Sequence, residues 1–90
     1  MRERDIESRL VRAVREAGGT AYKFVSPGHS GVPDRMCVFP PFGRVVFVEL
    51  KAPGKRPTKL QQAEIRRLRE AGCQVEVVDS VEGIAEVLKP

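Results

Sequence analysis

The chain has 90 residues, of which 41% are hydrophobic and 31% charged, and a formal net charge of +4. This length predicts one domain over residues 1–90, with no room for a second domain or for a cavity that holds a large organic cofactor. No apolar run approaches the ~20 residues that a membrane helix needs, and the charged start lacks the apolar stretch of a signal peptide. We therefore expect a cytoplasmic protein with no membrane partner.

The hydrophobic pattern of the first half predicts one helix and three strands. Apolar residues recur at helical spacing from about Arg4 to Ala17, where two glycines end the helix. A short strand follows over Ala21 to Val25. After a loop with glycine and proline, Arg35 to Phe39 and Arg44 to Leu50 form two further strands. The Pro40–Pro41–Phe42–Gly43 segment between them is typical of a turn.

The second half predicts a helix, a strand and a final helix. Thr58 opens the second helix, with Gln61 in a capping-box position, and this helix runs to about Ala71. Gln74 to Val78 is a strand, and a last helix ends near Leu88. The order of elements is αβββαβα, which predicts an α/β fold with a mixed sheet and helices on both faces.

The predicted hairpin brings two acidic residues together. With the turn centred between Pro41 and Phe42, residue 39 pairs with 44, and Asp34 lies opposite Glu49 at the far end. Opposed Cβ atoms are about 5 Å apart, where two carboxylates repel by about 3 kcal/mol at an effective dielectric near 20. We therefore expect a cation between them. A bulge would move Asp34 to the other face of the sheet.

Lys51 follows Glu49 by two residues and therefore projects from the same face of its strand. Carboxylates and backbone carbonyls are hard ligands suited to Mg²⁺ or Mn²⁺. A lysine beside such a metal can stabilise a charged transition state or position a water. A salt-bridged triad at the strand end explains the same charges, and both interpretations stay open on the residues alone.

Positive charge is concentrated in residues 51–69, which hold seven basic side chains and the single acid Glu64. Lys55, Arg56 and Lys59 lie on the loop at the start of this segment. A basic patch next to a carboxylate site is expected where a phosphate polyanion must be held. For the arginines of the following helix, a solvated helix face is the simpler explanation.

Three other polar residues have both a functional and a structural explanation. Glu7 borders the buried stripe of the first helix, where it points into the groove between helix and sheet or pairs with Arg4 or Arg9 on the surface. Capping of its own helix explains Gln61. His29, the only histidine, could act as a general base, although a lone loop histidine is more often exposed to solvent.

These motifs resemble the VRR-NUC (virus-type replication–repair nuclease) family of the PD-(D/E)XK nuclease superfamily. The matching positions run through nearly the whole chain in the family's order: the Gly-Val-Pro-Asp run 31–34, Glu49–Leu50–Lys51, Gln61, and Gly72 with the strand 75–78. The resemblance implies a restriction-endonuclease-like αβββαβ core. The chain is most similar to the small stand-alone phage and bacterial members, which act as dimers.

The resemblance implies that Asp34 and Glu49 are metal-binding acids, that the Leu50 carbonyl is a further ligand, and that Lys51 is the catalytic lysine. Its implied activity is Mg²⁺- or Mn²⁺-dependent DNA cleavage, with selectivity for branched DNA such as a Holliday junction. We expect a homodimer that acts in DNA repair, in a bacterium or a phage-infected cell.

The resemblance implies roles for two helix residues as well. Glu7 matches the acid on the family's first helix, which approaches the metal directly or through water, and Gln61 matches a helix glutamine near the active site. His29 gains no role from it. The alternatives are a non-catalytic nucleic-acid-binding module on the same fold and a structural subunit whose acids form ordinary ion pairs. The presence of Asp, Glu and Lys together argues against both.

Overall fold

The computed structural model describes residues 1–90, in which three helices surround one four-stranded sheet. The elements follow the predicted order αβββαβα. No helix is long and apolar enough to span a membrane. The elements are α1 (Glu3–Glu16), β1 (Thr20–Lys23), β2 (Arg35–Phe39), β3 (Arg44–Leu50), α2 (Lys59–Glu70), β4 (Gln74–Val78) and α3 (Val81–Leu88).

The sheet is mixed, and its strands lie in the order β1-β2-β3-β4. β1 is antiparallel to β2 and β2 to β3, whereas β3 and β4 are parallel. The parallel pair requires a crossover connection, which α2 and its flanking loops supply. β1 ends at Lys23, two residues earlier than predicted, because the chain leaves the sheet soon afterwards and Val25 is 70% exposed.

α1 and α3 cover one face of the sheet and form the core with it. Ile6, Leu10 and Val14 recur every four residues along α1 and are fully buried, as expected for a helix stripe that faces a sheet. Alternate strand residues meet this stripe from the other side. The core comprises Ile6, Leu10, Val14, Cys37, Phe39, Val46, Val48, Leu50, Val78, Ile84 and Val87.

α2 lies on the other face of the sheet and packs mainly against β4. Its amino end is closed by a reciprocal pair of hydrogen bonds: Gln61 donates its N–H to Thr58 Oγ1 at 3.2 Å, and Gln61 Oε1 accepts from the Thr58 N–H at 2.9 Å. This is the predicted capping box. The sheet has helices on both faces, and the predicted α/β architecture is confirmed.

α2 leaves the β1–β3 part of this second face without a covering helix. Tyr22 is 52% exposed there, and Met36, Val38, Val45 and Phe47 are only half-buried. On the core side of β2 and β3, by contrast, Cys37, Val46 and Val48 are fully buried, so the difference comes from the helices that cover each face. We call these five residues the open face, which contains no charged side chain.

One arginine binds an edge carbonyl on each side of the sheet. Arg35 Nη1 donates to the Ala21 carbonyl of β1 at 3.0 Å, and Arg69 Nη2 donates to the Val75 carbonyl of β4 at 2.7 Å. Both carbonyls point away from the neighbouring strand, since alternate residues of an edge strand bond inward and outward. Each edge therefore offers one acceptor fewer to an additional strand.

Candidate active site

The hairpin formed by β2 and β3 places the two predicted acids side by side. Its register pairs Phe39 with Arg44 and continues without a bulge to Arg35 and Val48. This is the predicted register, and one further step aligns Asp34 with Glu49. The negative charge of Asp34 raises the pKa of the neighbouring Glu49 carboxyl.

Glu49 is buried although the protein does not satisfy its carboxylate. The residue is 1% exposed, its Oε1 has no hydrogen-bond partner, and its Oε2 lies 3.6 Å from Lys51 Nζ. Burial, and then the charge of Asp34, raise the pKa of Glu49 from 4.5 to about 7, against the opposing effect of Lys51. A buried carboxylate with an unpaired oxygen is unfavourable, so this position suits a cation.

Backbone contacts hold the other two members of the site. Asp34 Oδ2 accepts a hydrogen bond from the Leu50 N–H at 2.8 Å, which ties the carboxylate to the end of β3. Lys51 donates its own N–H to the Val78 carbonyl of β4 at 3.0 Å, and its side chain is 16% exposed. Two acids and a lysine thus meet at the carboxyl end of β3. Metal binding by the Leu50 carbonyl stays a prediction.

Glu7 is held away from this pair of acids by an arginine. Its Oε2 lies 3.0 Å from both Nε and Nη2 of Arg35. Arg35 directly follows Asp34, so their side chains leave opposite faces of the sheet. No three His, Cys, Asp or Glu side chains among the 90 residues are close enough to hold a metal on their own. The structure therefore shows no direct approach of Glu7 to the site, and a contact through water stays a prediction.

Glu3 is the α1 acid whose charge reaches the site, where it adds to the raised pKa of Glu49. The sequence pattern alone does not assign Glu3 to the site. The signal was present, because Glu3 lies three residues before Ile6 and seven before Leu10. It therefore continues the buried stripe of α1 towards the end of the sheet.

Gln61 and His29 are each engaged in a contact of their own. The Gln61 side chain closes the capping box of α2, so its structural explanation is observed and a catalytic role stays a prediction. His29 Nε2 lies 2.7 Å from Glu64 Oε1 on α2. The sequence predicts His29 as a general base or as a solvent-exposed side chain, and neither prediction includes a contact with Glu64.

The predicted DNA-binding residues Lys55, Arg56 and Lys59 are exposed. None of them takes part in the protein's ion pairs. Lys55 and Arg56 lie on the loop after Lys51, as predicted, whereas Lys59 is the first residue of α2 and not part of the loop. All three charges are free to meet an anion beside the site. Contact with DNA stays a prediction for all three.

The donor set at this site fits a hard divalent cation. Glu49 Oε1 is buried and has no partner, and the Asp34 carboxylate is its neighbour. Mg²⁺ commonly takes only one or two protein carboxylates and fills its remaining positions with water and substrate phosphate. Two acids are therefore sufficient, although no larger cluster of acidic ligands exists.

A PD…ExK pattern at the ends of two paired strands, on a mixed sheet flanked by helices, defines a nuclease of the PD-(D/E)XK type. A family model described as "VRR-NUC domain" matches residues 3–82. The chain belongs to the VRR-NUC family, as its motifs indicate.

Two relatives agree with this assignment. The chain is 55% identical over 80 residues to "Putative nuclease p44" of Acyrthosiphon pisum secondary endosymbiont phage 1, an alignment that covers 89% of this chain and 85% of the phage protein. A solved structure described as "VRR_NUC domain" matches with a TM-score of 0.87 at 29% identity, and the match covers 96% of this chain and 92% of that one. The similar fold thus extends over almost the full length of both chains.

Proposed function

We propose that the protein is a metal-dependent endonuclease that hydrolyses phosphodiester bonds in DNA. The observation that carries the proposal is the unpartnered buried oxygen of Glu49, next to Asp34 and Lys51. A structural ion-pair cluster would satisfy that oxygen within the protein, whereas a metal-binding carboxylate leaves it free. Membership of a nuclease family supports the same interpretation.

In the mechanism we propose, Asp34, Glu49 and the Leu50 carbonyl would hold Mg²⁺ or Mn²⁺. The bound ion would polarise the scissile phosphate and lower the pKa of an attacking water. Lys51 orients that water or neutralises the charge that develops on the phosphate. Because burial raises the pKa of Glu49 to about 7, Glu49 must release its proton before it binds a cation.

The proposed DNA contacts are to the backbone and not to the bases. Lys55, Arg56 and Lys59 form an unpaired positive segment beside the site, suited to phosphate. The chain has one tyrosine, four phenylalanines and no tryptophan, which leaves few rings on which unpaired bases could stack. Shape and charge of the substrate would then decide where the enzyme cuts.

We further propose a homodimer that acts on branched DNA, such as a Holliday junction, in DNA repair. The open face supports the dimer, because it is apolar and uncharged in a chain whose net charge is +4. A second copy can bury this face without bringing like charges together. Asp34 and Glu49 leave the same side of β2 and β3 at its end, so the second copy would have to leave that end open to DNA. Two active sites related by a two-fold axis would suit a symmetric four-way junction.

The proposed function is tested with four-way, flap and linear duplex DNA, each in Mg²⁺, Mn²⁺ or chelator. We expect cleavage only with metal, and faster on the four-way junction. Equal cleavage of all three would refute the preference for branched DNA, and no metal-dependent cleavage of any would favour a DNA-binding module.

Sedimentation tests the dimer. A Val38→Glu variant should yield monomers, whereas the control Phe42→Ser, on the exposed hairpin turn, should not.

A Lys51→Ala variant is expected to cleave about 10²–10³-fold more slowly, the usual effect of removing a group that stabilises developing charge. Lys55→Ala is its matched control, because it removes the same charge from the neighbouring exposed loop. That control should weaken DNA binding in a salt-dependent way and change the single-turnover rate at saturating enzyme little. A wild-type rate in Lys51→Ala would contradict its catalytic role.

A further inference from the structure

The loop over residues 24–34, which ends in Asp34, contacts α2 at two points. His29 Nε2 lies 2.7 Å from Glu64 Oε1. Two residues later, a Cβ on Gly31 would lie 3.0 Å from the Leu60 carbonyl oxygen, and the φ angle of Gly31 is +87°. Only glycine fits both the spacing and the backbone conformation. The loop thus depends on the position of the first two turns of α2.

Glu64 is unusual because it is a buried acid outside the candidate active site. Glu64 and Glu49 are the only charged residues in the buried class. A carboxylate is buried only at a cost that partners must offset, and Glu64 has two, His29 at 2.7 Å and Arg67 at 3.5 Å. The Arg67 contact lies within α2, so the His29 contact alone connects Glu64 to the loop.

Asp34 is the last residue of this loop, and two hydrogen bonds hold it at the sheet. The Asp34 carbonyl accepts from the Phe24 N–H at 2.9 Å, and its Oδ2 accepts from the Leu50 N–H at 2.8 Å. If the loop moved away from α2, only these two bonds would hold Asp34, and its carboxylate would be freer to move relative to Glu49. Displacements of about 1 Å in a catalytic site can cost about 10²-fold in rate.

We propose that His29 and Glu64 are positioning residues of the nuclease site. Their hydrogen bond fixes the loop that carries Asp34 against α2, and thereby fixes the metal-binding acids relative to the basic residues at the start of that helix and in the loop before it. The assignment rests on the proposed function. In this role neither residue contacts the reacting atoms, and the second ring nitrogen of His29 takes no part in the reaction.

The test compares His29→Ala with Glu64→Gln, which keeps an oxygen that accepts the imidazole N–H. In His29→Ala we expect hydrogen exchange of the Leu50 amide to become at least about tenfold faster, because its acceptor on Asp34 is no longer fixed. Single-turnover cleavage should fall about tenfold, with DNA affinity within about twofold of wild type. Glu64→Gln should keep both wild-type values.

The matched control is Glu86→Ala, which breaks the exposed Glu86–Lys89 pair of 3.0 Å on α3 and should change neither readout. Glu64→Ala removes the His29 bond from the helix side and replaces His29→Ala if that variant does not fold. The double variant His29→Ala/Glu64→Ala should cleave DNA no more slowly than either single variant, because the same hydrogen bond is lost in each case.

An unchanged exchange rate of the Leu50 amide, or faster exchange without slower cleavage, overturns the proposal. Failure of the wild type to cleave DNA overturns the proposed function instead, and the exchange of Leu50 still decides whether His29 fixes Asp34.

Discussion

An Asp34→Asn variant is expected to lose metal-dependent DNA cleavage while it still folds and binds DNA. Asparagine keeps an oxygen that can accept the Leu50 N–H, which now bonds Asp34 Oδ2 at 2.8 Å, so the end of the hairpin should keep its geometry. The substitution removes one of the two negative charges available to a divalent cation. Single-turnover assays in Mg²⁺ and Mn²⁺, together with DNA binding in chelator, measure the two effects separately.

The same variant should alter Glu49. Because the charge of Asp34 helps to raise the pKa of Glu49, its removal should lower that pKa, which carboxyl NMR can follow. Glu82→Gln, an exposed acid on α3, is the control and should leave both the pKa of Glu49 and the cleavage rate unchanged. Metal-dependent cleavage by rigorously purified Asp34→Asn protein would refute the assigned site.

A Glu49→Gln variant is expected to be inactive and yet more stable than the wild type above neutral pH. Below pH 4.5, the Glu49 carboxyl is protonated in both the folded and the unfolded wild type. Its pKa is about 7 in the folded protein, against an ordinary 4.5. Wild-type stability therefore falls as the pH rises through this window, because the folded state binds the extra proton, and the full penalty is present above about pH 7. A neutral glutamine at position 49 avoids this penalty.

At about 1.4 kcal/mol for each pH unit, this window limits the gain to about 3 kcal/mol. Chemical denaturation of both proteins between pH 5 and pH 8 would measure it, as a difference in the free energy of unfolding that grows with pH. Lower stability of the variant at pH 8 would show that the burial of ionised Glu49 carries no such cost.

Divalent metal should reverse the order of stability of the wild type and the Glu49→Gln variant. A cation that binds ionised Glu49 stabilises only the folded wild type, so Mg²⁺ or Mn²⁺ should raise the melting temperature of the wild type more at pH 8 than at pH 6. The Glu49→Gln variant should show neither the shift nor its pH dependence. The cleavage rate of the wild type should likewise rise with pH through about 7.

The hairpin and its acids were predictable because their geometry is local. A four-residue turn and strict alternation along two strands fix which residues face each other, and the observed pairing of Phe39 with Arg44 follows. The capping box of α2 was equally accessible, since Thr58 and Gln61 are three residues apart. In each case, the interacting groups belong to one element or to two elements joined by one turn.

The parts of the site that the sequence did not predict depend on how separate elements pack. His29 and Glu64 are 35 residues apart, and no local pattern links them. The period of α1 shows which side of the helix faces the sheet. It does not show where the helix crosses the strand ends, and that crossing determines that Glu3 acts on Glu49 while Glu7 meets Arg35. The open face is uncovered for the same kind of reason, because α2 packs over β4 and not over the middle of the sheet.

The two arginines that bind edge-strand carbonyls have a consequence for the solubility of the protein. Arg35 and Arg69 each bind an outward carbonyl that a strand from another molecule would otherwise use, which limits growth of the sheet into fibres. Loss of Arg69 would thus leave the active site intact and expose a template for aggregation. Substitution of Arg69 is therefore expected to cause slow precipitation of concentrated protein, while the molecules that remain in solution keep their activity.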